Sequence, residues 1–476
     1  MPPGGAAAHL TSPAVRRVGL PLVLAVVAVV AAVLAVRAEA EPDAAGGRPE
    51  AVAHLATPVL SVRRVPGFLV DPVADTALQL SLLSFLQSAP PSTCLVVERT
   101  GGPRLVSHQP DLPLIPASTQ KLLTAAAVLD VLDPASTLTT RAVAAAPPQG
   151  GVVAGDLWLV GGGDPLLATP DYVTRFEIQP WPRTAVEQLA DRIAESVTRI
   201  DGRVVGDDSR YDALRSVPTW PERYLGSGDV GSLSAVAVND GYEVYPAPSA
   251  DPARSAAAIL TELLEQRGVT VAGDPASGPA PAGAAEVATL PSLPLGEVVA
   301  HMVRDSDNES AELLVKELGR EVAGSGTTAA GVQAATATLA DAGVAMAGTT
   351  LTDGSGLDRG NRVTCATLVS LLEEEGPDSP VTSALPVAAE DGTLTERFAG
   401  SPAAGVLRGK TGTLLGVTGL TGFVDTPAGG HLTFAFLSNG EFDQEGGYAL
   451  FEQLGALLAA FPQGPSPDEV APLPPT

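Results

Sequence analysis

Lysine is almost missing from this chain, and two of its three lysines stand in short motifs beside hydroxyl residues. The motifs are Ser118-Thr119-Gln120-Lys121, Ser306-Asp307-Asn308 and Lys410-Thr411-Gly412-Thr413. A chain that uses all three must bring Ser118 and Ser306 to one place across 188 positions.

Each motif has its own chemistry. A serine becomes a nucleophile when a base stands next to it. At a helix start, positions i and i+3 share a face, so Lys121 reaches the Ser118 hydroxyl. A lysine serves as base once burial or a nearby cation lowers its pKa, whereas an arginine stays protonated. A helix N-terminus adds positive potential at Ser118. In the second motif, Ser306 offers a hydroxyl for proton relay and Asn308 an amide for a substrate carbonyl. The competing structural reading makes Ser306 and Glu309 a capping box for the following helix. In the third motif, Lys410 with Thr411 and Thr413 suits a substrate carboxylate. Gly412 admits close backbone approach, and the N–H groups of Thr413 and Ser118 suit an oxyanion hole.

In this order the motifs are those of class A β-lactamases and penicillin-binding proteins, and the sequence resembles the penicilloyl-serine transferases. The long interval between the first two motifs, with Gly161-Gly162-Gly163-Asp164-Pro165 inside it, is similar to the insertion of low-molecular-mass class C penicillin-binding proteins. These are the D-alanyl-D-alanine carboxypeptidase/endopeptidases of peptidase family S13. Asp353-Gly354-Ser355-Gly356-Leu357, Asn361-Arg362-Val363-Thr364 and Asp391-Gly392-Thr393-Leu394 add to the likeness, which spans roughly residues 75–465.

The resemblance implies a serine-type D-Ala-D-Ala carboxypeptidase acting on peptidoglycan stem peptides, with endopeptidase action left open. Ser118 would form the acyl-enzyme, Lys121 act as base and Ser306 pass the proton to departing D-Ala. Asn308, Lys410, Thr411, Gly412 and Thr413 would bind substrate. β-Lactams would acylate Ser118 as inhibitors, and neither metal nor organic cofactor is called for. The alternatives are a β-lactamase or esterase with the same site, and an inactive envelope scaffold. Asp164 and the Asp353–Leu357 loop are expected to shape turns.

Residues Val18–Val36 carry no charge, follow Arg16 and Arg17, and approach the length that spans a bilayer. They predict a transmembrane anchor, with a cleaved signal segment as the alternative. Residues 1–17 would then be cytoplasmic and the rest extracytoplasmic. A net charge of −26 argues against nucleic acid as a partner. Two buried free thiols are expected at Cys94 and Cys365, with a disulfide open in an oxidising compartment.

The expected fold is α/β (α+β): a transpeptidase-like antiparallel sheet flanked by helices, carrying a mostly β insertion. Residues 37–70 read as a linker, 71–149 and 292–465 as the two parts of the sheet domain, 150–291 as the insertion, and 466–476 as a disordered tail. Helices are expected over Val73–Gln87, from Ser118, and over Ala256–Gln266, Leu295–Val303, Glu309–Leu318 and Tyr448–Phe461. Strands are expected over Cys94–Glu98, Arg104–Ser107, Asp156–Val160, Gly202–Val205, Ala235–Val238, Val417–Val424 and Leu432–Leu437.

Overall fold

The computed structural model describes residues 67–177, 179–427 and 430–462. In chain order its main elements begin with α1 (Gly67–Ser88), β1 (Ser92–Arg99), β2 (Arg104–His108) and α2 (Lys121–Val131). There follow β3 (Thr139–Ala144), β4 (Leu157–Val160), α3 (Val186–Ala194), β5 (Val204–Asp207), α4 (Pro252–Gln266), β6 (Ala276–Ser277) and β7 (Ala285–Pro291). The chain continues with α5 (Leu295–Arg304), α6 (Asn308–Ala323), α7 (Thr328–Asp341) and α8 (Cys365–Glu375), and closes with β8 (Leu407–Leu414), β9 (Val417–Asp425), β10 (His431–Asn439) and α9 (Gln444–Ala459).

The central sheet is antiparallel, in the order β8-β9-β10-β1-β2. Successive strand side chains point to opposite faces. Along β1, Cys94 and Val96 join the core formed with α2, α5, α6 and α8, while Leu95 and Val97 join the core under α1 and α9. Both faces are covered, which is why β1 reads as a continuous apolar run rather than an alternating one. β8 forms one edge of the sheet, and that edge faces the turn carrying Ser118.

The insertion is more helical than a mostly β reading allows. Its larger sheet runs β6-β5-β4-β3-β7, with β4, β5 and β6 parallel and β3 and β7 antiparallel to their neighbours. It takes its first strand from Thr139, ahead of residue 150. α3 and α4 pack on it through Leu189, Ile193, Leu260 and Leu264, against Leu157, Leu159 and Val204. Val186, Leu189, Ala190 and Ile193 carry the helical spacing that marks α3. Ala235–Val238 is not a strand. Its apolar side chains are buried in irregular chain that presses on Gly161, where a Cβ would lie 2.2 Å from the Ala235 carbonyl oxygen.

Two further expectations change. Cys94 and Cys365 are not free thiols but a disulfide with a Cα–Cα distance of 6.0 Å, tying β1 to the first residue of α8. A separation of 271 positions hides this pairing from sequence inspection. α6 is capped by Asp307, whose carboxylate accepts from Ser310 N at 3.0 Å. No Ser306–Glu309 capping box forms. Ser306 adopts φ 62°, and the buried Glu309 carboxylate turns instead to Gly231 N at 3.2 Å.

The segment 18–36 and the tail 466–476 lie outside the described residues, as does nearly all of the expected linker. Among the described residues no helix is long and apolar enough to cross a membrane.

Candidate active site

Ser118 stands in a short 3-10 turn, Ala117–Gln120, that leads into α2 at Lys121, so the α-helix starts three residues later than the sequence suggests. Ala117, just ahead of Ser118, is held at φ 47°, a region a side chain rarely adopts. Gly356 makes this bend possible. A Cβ there would sit 2.0 Å from the Ala117 carbonyl oxygen. The turn is also pressed by β8, since a Cβ on Gly412 would lie 2.6 Å from the Pro116 carbonyl oxygen and 3.0 Å from Thr119 N. The backbone that exploits Gly412 is therefore the protein's own.

Lys121 is completely buried. Its Nζ lies 2.9 Å from Ser118 Oγ, 2.7 Å from Asn308 Oδ1 and 2.9 Å from the Ser355 carbonyl oxygen. A surface lysine beside an ordinary helix-start serine would show none of this. Burial lowers the Lys121 pKa from 10.5 to about 8, against the opposing pull of Asp307, Asp353 and Glu312. Some of the amine is thus unprotonated near neutrality, as a general base requires.

Lys410, on β8, is also fully buried, and its Nζ makes one hydrogen bond, to the Thr411 carbonyl at 3.1 Å. Desolvation and then the charge of Lys121 push its pKa well below the usual value, while Asp305 pulls the other way. Thr411 Oγ1 donates to Thr393 Oγ1 at 3.1 Å. Thr413 is half-buried beside Arg223, Tyr224 and Asp229. Ser306 and Asn308 line a cleft of about 240 Å³ with Asp229 and Tyr242. Ser306 makes no hydrogen bond to Ser118 or Lys121 among the described residues. The direct cluster is Ser118, Lys121 and Asn308.

Several contributors carry no motif. The Asp353–Leu357 loop was expected to be a turn and is one, but its Ser355 carbonyl also holds the lysine. Glu312 on α6 secures that loop, Oε1 accepting from Gly354 N at 3.0 Å and Ser355 N at 2.7 Å. Burial, then the nearby Asp353, raises the Glu312 pKa to about 8. The insertion contributes as well. The Asp229 carbonyl accepts from Asn308 Nδ2 at 2.7 Å, which leaves Oδ1 for Lys121. Asp164 keeps to its expected turn, accepting from Leu166 N at 3.0 Å.

A family model described as "D-Ala-D-Ala carboxypeptidase 3 (S13) family" matches residues 90–248 and 246–460. The chain is 32% identical over 433 residues to a D-alanyl-D-alanine carboxypeptidase of Actinomadura, covering 73% of this chain and 78% of that one. It is 32% identical over 401 residues to a carboxypeptidase of Mycobacterium tuberculosis, covering 78% and 83%. Among solved structures, penicillin-binding protein 4 of Haemophilus influenzae superposes with a TM-score of 0.68 at 20% identity, covering 78% of this chain and 97% of the other.

Proposed function

The chain belongs to the S13 family of D-Ala-D-Ala carboxypeptidases, and from that premise and the geometry of Lys121 we propose the following reaction. The protein is a serine-type D-Ala-D-Ala carboxypeptidase that acts on peptidoglycan stem peptides and binds penicillin. The observation that carries the chemistry is the 2.9 Å contact between a fully buried Lys121 Nζ and Ser118 Oγ.

The neutral amine takes the Ser118 proton as Oγ attacks the carbonyl carbon of the penultimate D-Ala. The oxyanion so formed lies between the N–H groups of Ser118 and Thr413. The C–N bond then breaks as the proton held by Lys121 passes through the Ser306 hydroxyl, which gives one proton and regains another, to the nitrogen of the departing D-Ala; an ester on Ser118 remains and Lys121 is neutral again. Water hydrolyses the ester. Asn308 aligns the peptide, with one Nδ2 proton used by Asp229 and the other left for substrate. Lys410 has a single internal hydrogen bond and so keeps donors for the terminal carboxylate, alongside Thr411 and Thr413. Cross-linked stem peptides present the same bond type, and endopeptidase action is part of this proposal.

Residues 18–36 are proposed as the anchor that holds the catalytic region on the extracytoplasmic face, the N-terminus remaining inside. The charge-free run behind Arg16 and Arg17 supports this. So does the Cys94–Cys365 disulfide, which suits an oxidising compartment. Retention of the full chain in alkali-washed membranes is the expected result, and full release into the soluble fraction removes the anchor.

The test of function is labelling with a fluorescent penicillin, followed by peptide mapping and a D-Ala release assay. A slowly released label on Ser118, lost in Ser118→Ala, together with D-Ala release from a D-Ala-D-Ala peptide, is expected. Absence of label on folded protein refutes the acyl-enzyme, and rapid penicillin turnover reassigns the protein as a β-lactamase.

A further inference from the structure

The loop that holds the catalytic lysine is itself held from the insertion. Trp220 lies in the insertion, 8% exposed, and its Nε1 donates to Asp353 Oδ2 at 2.9 Å. Asp353 is a buried hub. It also accepts from Asp358 N at 2.6 Å, Gly356 N at 2.9 Å, Asn361 Nδ2 at 2.8 Å and Gln120 Nε2 at 3.1 Å. Two residues on, the Ser355 carbonyl meets Lys121 Nζ. The neighbouring Thr219 hydroxyl bonds the Asp358 carboxylate, a second contact from the same insertion segment to the same loop.

We propose that Trp220 is a positioning residue for Lys121, acting through the Asp353 carboxylate and the Ser355 carbonyl, so that the insertion takes part in the acylation step. The inference rests on the acyl-enzyme reading above and deepens it.

The geometry gives Trp220 two ways to act. Its N–H fixes the register of the Asp353–Gly356 loop and so the place of the Ser355 carbonyl against Nζ. It also stabilises the ionised form of a carboxylate that faces the lysine. Asp353 is buried and its pKa is already raised by desolvation, with Trp220 foremost among the hydrogen bonds that lower it. Without the indole N–H, Asp353 binds a proton more readily. Lys121 then loses part of the negative field that holds its own proton. The other charges facing Lys121 are Asp307 at the α6 cap and Glu312 on α6, with Lys410 across on β8 and itself faced by Asp305. Asp240 of the insertion faces Asp307 and Glu309. Among the described residues the Trp220 side chain hydrogen-bonds none of these groups, only Asp353.

Trp220→Phe deletes the N–H and keeps a ring for the cluster with Tyr211, Val217, Tyr224, Leu313 and Leu357. The full chain is followed by the rate constant of β-lactam acylation against pH, in wild type, Trp220→Phe, Asp353→Asn and the double variant. The rate constant is read rather than the labelled amplitude, so a partly misfolded preparation lowers the yield without changing the answer. Trp220→Phe is expected to lower the plateau rate about ten-fold, as small misplacements of a catalytic group do. It is also expected to move the acid limb of the profile to lower pH. The double variant should be no slower than Asp353→Asn, because residues acting through one partner are not additive. An unmoved or raised acid limb in Trp220→Phe, or multiplicative effects in the double variant, overturns the inference. Failure of the wild type to be labelled refutes the acyl-enzyme itself, a separate outcome.

Discussion

Ser355 presents its carbonyl to Lys121 Nζ at 2.9 Å, making main chain from a distant loop a direct partner of the lysine proposed as base beside Ser118. The lysine is thereby fixed by a hydroxyl, an amide and a carbonyl, and its behaviour follows from what surrounds it.

Acylation by β-lactam should rise with pH through an acid limb near the Lys121 pKa of about 8. Below that value the neutral amine falls roughly ten-fold per pH unit. Lys121→Arg keeps the charge but has no accessible base form, and a loss of about 10³-fold or more is expected from stopped-flow acylation.

Lys410→Met should stabilise the protein while disabling it. A buried amine with one hydrogen bond is costly in either protonation state, and an apolar side chain of similar length removes that cost. Thermal or urea unfolding should show a gain of about 1–2 kcal/mol, of the size that burying an under-bonded polar group costs. Acylation and D-Ala release should fall about 100-fold from loss of carboxylate binding.

Gly412→Ala should separate β8 from the nucleophile turn. The added Cβ would meet main-chain oxygen and nitrogen at 2.6 and 3.0 Å, and neither is a flexible side-chain end. Overpacking of this kind costs about 1–3 kcal/mol. The acylation rate should fall by more than the stability loss explains, because Ser118 moves with Pro116 and Thr119.

Glu312→Gln isolates a charge from a shape. The folded-state pKa of Glu312 is raised from 4.5 to about 8, so its contribution to stability is fully present below about 4.5 and is lost as pH rises through about 8. Glutamine keeps the accepting oxygen for Gly354 and Ser355 and does not titrate. Near neutrality the variant should acylate at close to the wild-type rate. Its denaturation midpoint should decline less between pH 5 and 9 than that of the wild type.

The motif residues were legible because each carries its chemistry in a side chain at short spacing. Lys121 stands out further in a chain that otherwise uses arginine. What stayed hidden was carried by groups without a sequence signal. The Ser355 carbonyl is main chain, the Asp229 carbonyl likewise, and Trp220 reaches Asp353 across 133 positions. Ser306 mimicked a capping box, yet Asp307 supplies the cap and frees Ser306 to line the cleft. In the fold, four strands of the central sheet were readable from their apolar residues, but β8 was not, because Arg408, Gly409, Lys410, Thr411, Gly412 and Thr413 break any apolar run. In the insertion β4, β5 and α4 were readable, but α3 was missed, strands as short as β6 leave no pattern, and the apolar run Ala235–Val238 packs as irregular chain.

The bond between Cys94 and Cys365 closes a covalent ring that contains the nucleophile turn, the whole insertion and the Ser306 motif, with β8 outside it. A protease cut anywhere in the insertion therefore leaves a single molecule, whose severed ends stay tethered through β1 and α8. Such a nicked form should run as one band without reductant and as two with it. If the central sheet and its two helical cores hold without the severed connection, it should still take up β-lactam until the bridge is reduced.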